Sequence, residues 1–378
     1  MKKGTNSKKL NIVFIDFDDI KNPLLGAGQA KATLEIGKRL AEKGHKVRVI
    51  CSKYPGYKDR TENGIEYKHI GLGSKNIRLN NIFYILSIPF AVLNIKRANI
   101  IIECFTAPIS TLFSPLFTKT PVVALTTSFE AEDFARIYHL PIISLIEKIG
   151  VRFYKYFLPY TQYYDQKIKN LNPKAITKIV PEGVGEEFFQ IKKKNPKYIL
   201  YLGRLDIEHK GLDLLLKAYS LIAEKTTYPL IIAGNGPDEV KIKSLITKLN
   251  LSKKVKMIGP TFGKKKSEVL SEALFVAFPS RQEGFPLFSL EALASGLPLV
   301  AFDIPGLSWT NKEVALKTNP YNVKSYASLL LNATNYSLVK KMSRASREFA
   351  KQYTWNNVSD KFESFFYEIL EKEGQNEN

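Results

Sequence analysis

What constrains this chain most is a rhythm that runs through it twice. Short runs of β-branched and aliphatic residues alternate with helical patterns. The first series of runs is Asn11–Phe17, Lys46–Cys51, Asn99–Glu103 and Pro121–Thr126. The second is Tyr198–Leu202, Pro229–Ala233, Lys254–Ile258, Leu274–Phe278 and Pro298–Phe302. Runs this apolar, most of them without polar alternation, suit strands covered on both faces, as in parallel sheets. The clearest helical pattern, Gln29 to Lys43, is closed by Gly44, the residue a helix C-terminus favours. Two successive βαβ series imply an α/β chain with two doubly wound sheets. The 378 residues are also too many for one ordinary core.

The junction is legible as Ile191-Lys192-Lys193-Lys194-Asn195-Pro196-Lys197, polar and proline-containing like an interdomain linker. It divides an N-terminal domain, 1–190, from a C-terminal domain, 191–354. A last helix, 355–372, carries its own apolar stripe of Trp355, Val358, Phe362, Phe365, Phe366 and Ile369.

Composition narrows the class. With 44% hydrophobic and 24% charged residues, the chain is a globular protein rather than a disordered or fibrous one. Cys51 and Cys104 sit in apolar runs with no metal or redox spacing, which suits buried thiols in a reducing compartment. The basic start, Met1 to Lys9, leads into a run broken by Asp16, Asp18 and Asp19, so no signal peptide is expected. Ile82–Ile95 is the greasiest stretch, but it falls short of the ~20 residues of a membrane span and is expected as a buried or partly buried helix. The formal charge of +20 attracts polyanions. The lysines are scattered, with small clusters at Lys192–Lys194 and Lys264–Lys266, and no nucleic-acid motif accompanies them. Nucleic acid is therefore not expected as a partner.

Open α/β sheets bind ligands beyond the carboxyl ends of their strands. Three loops lie there. In Asn22-Pro23-Leu24-Leu25-Gly26-Ala27-Gly28-Gln29, small residues at a helix start let a phosphate reach backbone N–H groups; a purely structural turn is the other reading. A dinucleotide site does not fit, since the loop lacks a third glycine and the second strand ends without a ribose-binding acid. In Gly203-Arg204-Leu205-Asp206-Ile207-Glu208-His209-Lys210-Gly211, two cations precede a helix and suit a departing diphosphate, or simply face water. In the third, Phe278 to Pro298, a loop carries Glu283, Pro286 opens a helix and Glu291 follows eight residues after Glu283. Two carboxylates and free helix amides there suit sugar hydroxyls and an anion, although a locally capped structural Glu is the alternative.

Together with Pro181-Glu182-Gly183-Val184 and Gly234-Asn235-Gly236-Pro237, these loops resemble glycosyltransferase family 4 over nearly the whole chain, most closely from Lys178 to Pro298. The resemblance implies the GT-B architecture, two Rossmann-like doubly wound domains facing across a cleft, with helix 355–372 crossing back onto the first. It also implies a retaining hexosyl transfer from a UDP- or GDP-linked sugar to a lipid-linked or polysaccharide acceptor. By position, Arg204 and Lys210 would hold the diphosphate. Glu283 would contact the transferred sugar, as a positioning group rather than a nucleophile, with Gly284, Phe285, Pro286 and Leu287 around it and the backbone N–H groups of all but the proline open to an anion. Glu291 would bind the ribose, and Gly28 would approach the diphosphate. No cofactor or metal is expected; Asp16-Phe17-Asp18, a metal-binding spelling elsewhere, lies far from the donor motifs.

One departure is that Thr126-Thr127-Ser128-Phe129-Glu130 occupies the place where the family often has a histidine. Rival readings are a non-catalytic GT-B binding protein, a GT-B enzyme of another reaction, and a transferase with a soluble acceptor. Pro141–Tyr160, aromatic and carrying Lys148, Arg152 and Lys155, suits an interfacial helix on an anionic membrane or a partly buried Rossmann helix. The expected place of work is the cytoplasm, with the cytoplasmic membrane face as a peripheral site.

Overall fold

The computed structural model describes residues 8–25, 28–107, 109, 113–126, 129, 131–132, 135 and 139–376. The chain forms two compact units, Met1–Glu182 with Trp355–Asn378, and Gly183–Thr354.

The first unit holds strands β1 (Asn11–Ile15), β2 (Lys46–Ser52), β3 (Arg60–Glu62), β4 (Ile65–Ile70), β5 (Ile100–Cys104), β6 (Val122–Thr126), β7 (Tyr156–Pro159) and β8 (Ile176–Thr177). They lie in the order β3-β4-β2-β1-β5-β6-β7-β8, all pairs parallel except β3 with β4. That exception is a hairpin turned by Asn63 and Gly64, both at positive φ, the residue pair such a turn favours. Helices α1 (Gly28–Glu42), α2 (Ile77–Leu93), α3 (Ile142–Gly150) and α4 (Gln162–Leu171) connect the strands. Residues of α2, α3 and α4 share one core with β1, β5, β6 and β7: Tyr84, Ile88, Ile143 and Ile168 pack among Val13, Ile101, Ala124 and Phe157.

In the second unit, α5 (Glu186–Phe189) precedes β9 (Tyr198–Leu202). There follow α6 (Ile207–Lys210), α7 (Leu212–Ser220), β10 (Leu230–Ala233), α8 (Glu239–Lys248), β11 (Val255–Gly259), α9 (Gly263–Glu272) and β12 (Ala273–Phe278). After these come α10 (Leu287–Ala294), β13 (Leu299–Phe302), β14 (Ala315–Thr318), α11 (Val323–Asn332) and α12 (Tyr336–Ala350). The sheet is parallel, in the order β11-β10-β9-β12-β13-β14. The final helix, α13 (Trp355–Asn376), returns to the first unit. It packs along α1, where Arg39 donates to Asn356 at 2.6 Å and Lys43 meets Glu363 at 2.6 Å.

Two expectations change. The unit boundary falls at Glu182/Gly183, not at 190/191. The basic stretch from Ile191 is sewn into the second unit: Arg347 donates to the carbonyls of Phe189 and Ile191, and Lys193 donates to those of Leu270 and Ala273 at 2.8 Å. Pro141–Tyr160 is not one helix. Near its end, Tyr156–Pro159 is the buried strand β7 between β6 and β8. Ile82–Leu93 lies in α2, which is partly buried as expected: Tyr84, Ile88 and Val92 are buried while its outer face is exposed.

Candidate functional site

In the second unit the order of the sheet reverses between β9 and β12. One connection leaves β9 for β10, and the chain later returns from β11 to β12 on the other side. Such a switch point opens a crevice at the carboxyl ends of the two strands. The loops from Gly203 to Gly211 and from Pro279 to Pro286 are the ones that follow those two strands.

Gly211 brings them together. It sits at φ +64°, closing α6, and a Cβ there would come within 3.1 Å of the Pro279 carbonyl carbon and closer still to its oxygen. Arg281 fastens the approach: its backbone N–H donates to the His209 carbonyl at 2.9 Å, and its guanidinium reaches the Ile207 carbonyl at 2.6 Å and Asp213 at 2.9 Å. The Lys210 ammonium thereby lies 2.6 Å from Glu283 Oε1, which also accepts from Ser280 Oγ at 2.7 Å. This pair joins the cation of one loop to the carboxylate of the other.

Arg204 is held differently. Its side chain is 58% exposed and meets Asp206 at 2.5 Å. Asp206 caps α6 through the His209 N–H. Burial works against the Asp206 charge, but the hydrogen bonds and charge of His209 hold its carboxyl below the usual range. The loop after β10 supports this turn. A Cβ at Gly236 would meet Leu205 N at 2.6 Å, and Leu205 N–H donates to the Asn235 carbonyl at 2.9 Å.

Pro286 precedes α10, and no side chain caps that helix; the Ser289 N–H donates to the Pro286 carbonyl at 2.9 Å, and the N–H groups of Leu287 and Phe288 before it are the ones a helix start turns to other acceptors. Phe285 stacks on Trp309 at 4.9 Å, which fixes the turn between Glu283 and the helix. Glu291 is buried in α10, and Lys266 of α9 donates to it at 2.5 Å. The structure therefore joins Lys210 with Glu283, gives Arg204 and Glu291 partners of their own, and places Gly28 at the start of α1 in the other unit.

Reasoning from the sequence missed two participants. Lys266 was counted only in a charge cluster, yet it precedes Val269 and Leu270 by three and four residues, on the inner face of α9. The loop after β13 was not considered. Its Gly306 lies so close to Glu283 that a Cβ would come within 2.8 Å of the Glu283 carbonyl carbon.

In the first unit, β1 and β5 form the corresponding switch point. Asp16 is fully buried there. It accepts from Thr33 at 2.5 Å and from Gln29 at 3.4 Å, and burial pushes its carboxyl up. Gln29 also reaches Cys104 at 3.2 Å, so this network anchors the start of α1 next to Gly28. Asp18 Oδ1 accepts from the Asp19 N–H. Among the described residues, no group of three metal-ligating side chains gathers here or elsewhere. Gly26, Ala27, Thr127, Ser128 and Glu130 lie outside the described residues; Thr126 is buried at the end of β6.

The two switch-point sheets are those of the GT-B fold. HepE of Anabaena, solved in complex with UDP and glucose, is similar with a TM-score of 0.72 and 15% identity, covering 95% of this chain and 100% of that one. Residues 184–351 match the family model for glycosyl transferases group 1. An uncharacterized glycosyltransferase of Haemophilus influenzae is 34% identical over 173 residues, 43% of this chain and 47% of that protein. An O-antigen chain mannosyltransferase of Salmonella typhimurium is 25% identical over 166 residues, 44% and 46% of the two chains. The chain thus spans about half the length of the curated relatives it matches.

Proposed function

We propose that this protein is a retaining, metal-independent glycosyltransferase that moves a hexosyl unit from a UDP- or GDP-linked sugar to a lipid-linked or polysaccharide acceptor. The observation that carries the reading is the Lys210–Glu283 pair at the β9/β12 switch point, beside the uncapped N-terminus of α10. Arg204 and Lys210 supply two cations for the diphosphate, and the backbone N–H groups of Gly284, Phe285 and Leu287 add partial positive charge where negative charge develops. Glu283, fixed by Ser280 and Lys210, hydrogen-bonds the transferred sugar. Glu291, held by Lys266, takes the ribose hydroxyls.

The bond from the anomeric carbon to the diphosphate oxygen breaks as the acceptor oxygen bonds to the same face. The acceptor proton passes to the departing diphosphate. The cations do what a divalent metal does in other transferases. The polysaccharide or lipid-linked acceptor rests on the O-antigen relative, and the cytoplasmic face of a membrane is the corresponding place of work.

Thermal melting with a panel of UDP- and GDP-sugars tests the donor reading. One of them is expected to raise Tm and to release its nucleoside diphosphate on incubation, and the transferred sugar should keep the donor's anomeric configuration. No shift with any nucleotide or nucleotide-sugar would overturn the reading.

A further inference from the structure

Helix α2 is apolar on both sides. Tyr84, Ile88 and Val92 point into the core, while Leu79, Ile82, Phe83, Leu86, Phe90 and Leu93 are exposed. At ~100° per residue these six fall within an arc of about 100°, opposite the buried stripe. Leu86, Phe90 and Leu93 are exposed by 61%, 68% and 62%. A soluble helix ordinarily turns charged residues to water on that side. Here a face about four turns long is covered by nothing among the described residues.

The charge around it has one sign. Lys75 and Arg78 stand at the start of the helix and Lys96 and Arg97 just beyond its end, and no acid occurs between Glu66 and Glu103. Among the described residues none of these four cations takes part in an ion pair. The apolar surface also continues past α2. The turn Ser114–Phe117 packs against the helix and exposes Leu116, and Phe113 meets Phe153 edge-on at 5.2 Å. Phe153 follows α3, whose Ile142, Leu145 and Ile149 are exposed in turn. Both helices bury their inner residues in the same core, so these outer residues belong to one side of the sheet.

We propose that the outer face of α2 docks this protein on an anionic lipid bilayer, its apolar stripe entering the headgroup boundary and Lys75, Arg78, Lys96 and Arg97 meeting lipid phosphates. At 17 residues the helix is about 25 Å long, and no helix among the described residues is long and apolar enough to cross a membrane. It therefore lies on the surface. An antiparallel pairing with a second copy would set the cations of one end against those of the other, which repel. An anionic surface satisfies the apolar stripe and both basic ends at once. The inference supplies the membrane contact that the proposed lipid-linked acceptor requires, but its test uses no donor, so the two readings fail separately.

The experiment is co-sedimentation of the full chain with vesicles of phosphatidylglycerol and phosphatidylcholine in equal parts, and with phosphatidylcholine alone, at low and moderate salt. Binding is expected to the anionic vesicles, weaker by ~10-fold or more on the neutral ones, and weakened by salt. The double variant Leu86→Asp/Phe90→Asp should lower anionic partitioning by at least ~10-fold while leaving Tm and donor hydrolysis in solution unchanged. Replacing Lys75, Arg78, Lys96 and Arg97 by Gln should remove the preference for anionic lipid. Three results would overturn the proposal: no pelleting with anionic vesicles at low salt, pelleting that ignores both variants, or a dimer in solution that the Asp variant dissolves without any lipid binding by the wild type.

Discussion

Substituting Gly306 with alanine tests the donor site without touching a charge. The new Cβ would stand 2.8 Å from the Glu283 carbonyl carbon and 2.9 Å from its Cβ. Non-bonded carbons rest at ~3.5–4.0 Å, so the two loops must part by roughly 1 Å. Both are short and anchored, Glu283 by Ser280 and Lys210, and the other by Phe285 stacking on Trp309. Overpacking of this kind costs about 1–3 kcal/mol, which lowers Tm by a few degrees for a domain of this size. A displacement of ~1 Å in a positioning group costs on the order of 100-fold in rate. Gly306→Ala should therefore melt cooperatively a few degrees below wild type and release nucleoside diphosphate from the cognate donor about 100-fold more slowly. Wild-type turnover in a variant with the lowered Tm would show that the position of Glu283 does not matter, and the site would have to be sought elsewhere.

Transfer should continue in excess EDTA, because Arg204, Lys210 and helix amides supply the positive charge; complete loss, restored by Mn²⁺ or Mg²⁺, would contradict this. Lys266→Met takes the lysine from the buried Glu291 carboxylate and should destabilise the protein by about 1.5–3 kcal/mol, seen in thermal melts; an unchanged melt would deny the pair a structural part. In the first unit, Asp19 holds Arg60 at 2.6 Å and His69 at 3.0 Å. Burial opposes its charge, but the Arg60 and His69 hydrogen bonds overcome that and hold its carboxyl far below the usual range. Its stabilisation is thus complete above the unfolded pKa of ~3.9 and is lost as pH falls toward the folded value. Asp19→Asn should cost about 3–5 kcal/mol at pH near 7, and urea unfolding should show the gap to wild type narrowing in strong acid; a gap independent of pH would refute the assignment.

Much of this was legible in the residues, for a physical reason. Strands of a parallel sheet are apolar on both faces, so β1, β5, β6, β9, β10, β12 and β13 stand out as apolar runs, and β2 and β11 as β-branched ones broken only by single cations. Strands that break that pattern did not. Ile65–Ile70 alternates, and its hairpin signal, Asn63-Gly64, was not used. Tyr156–Pro159 was hidden in a longer aromatic stretch, and Ala315–Thr318 is a half-buried edge. The charged positions of the site were legible because Gly203, Gly211 and Pro286 mark strand-to-helix turns. Lys266 and Gly306 were not, since their meaning lies in what another segment brings to them. The outward face of α2 was missed for the converse reason. Hydropathy alone does not separate a helix buried in a core from one with an apolar side left bare.

The most direct measurement is the rate of sugar transfer by Arg204→Ala and Glu283→Ala beside wild type, with the nucleotide-sugar that raises Tm most. Both groups act where charge develops, so each folded variant should fall by at least ~100-fold. Near-normal transfer in both would contradict the assignment of this switch point as the donor site.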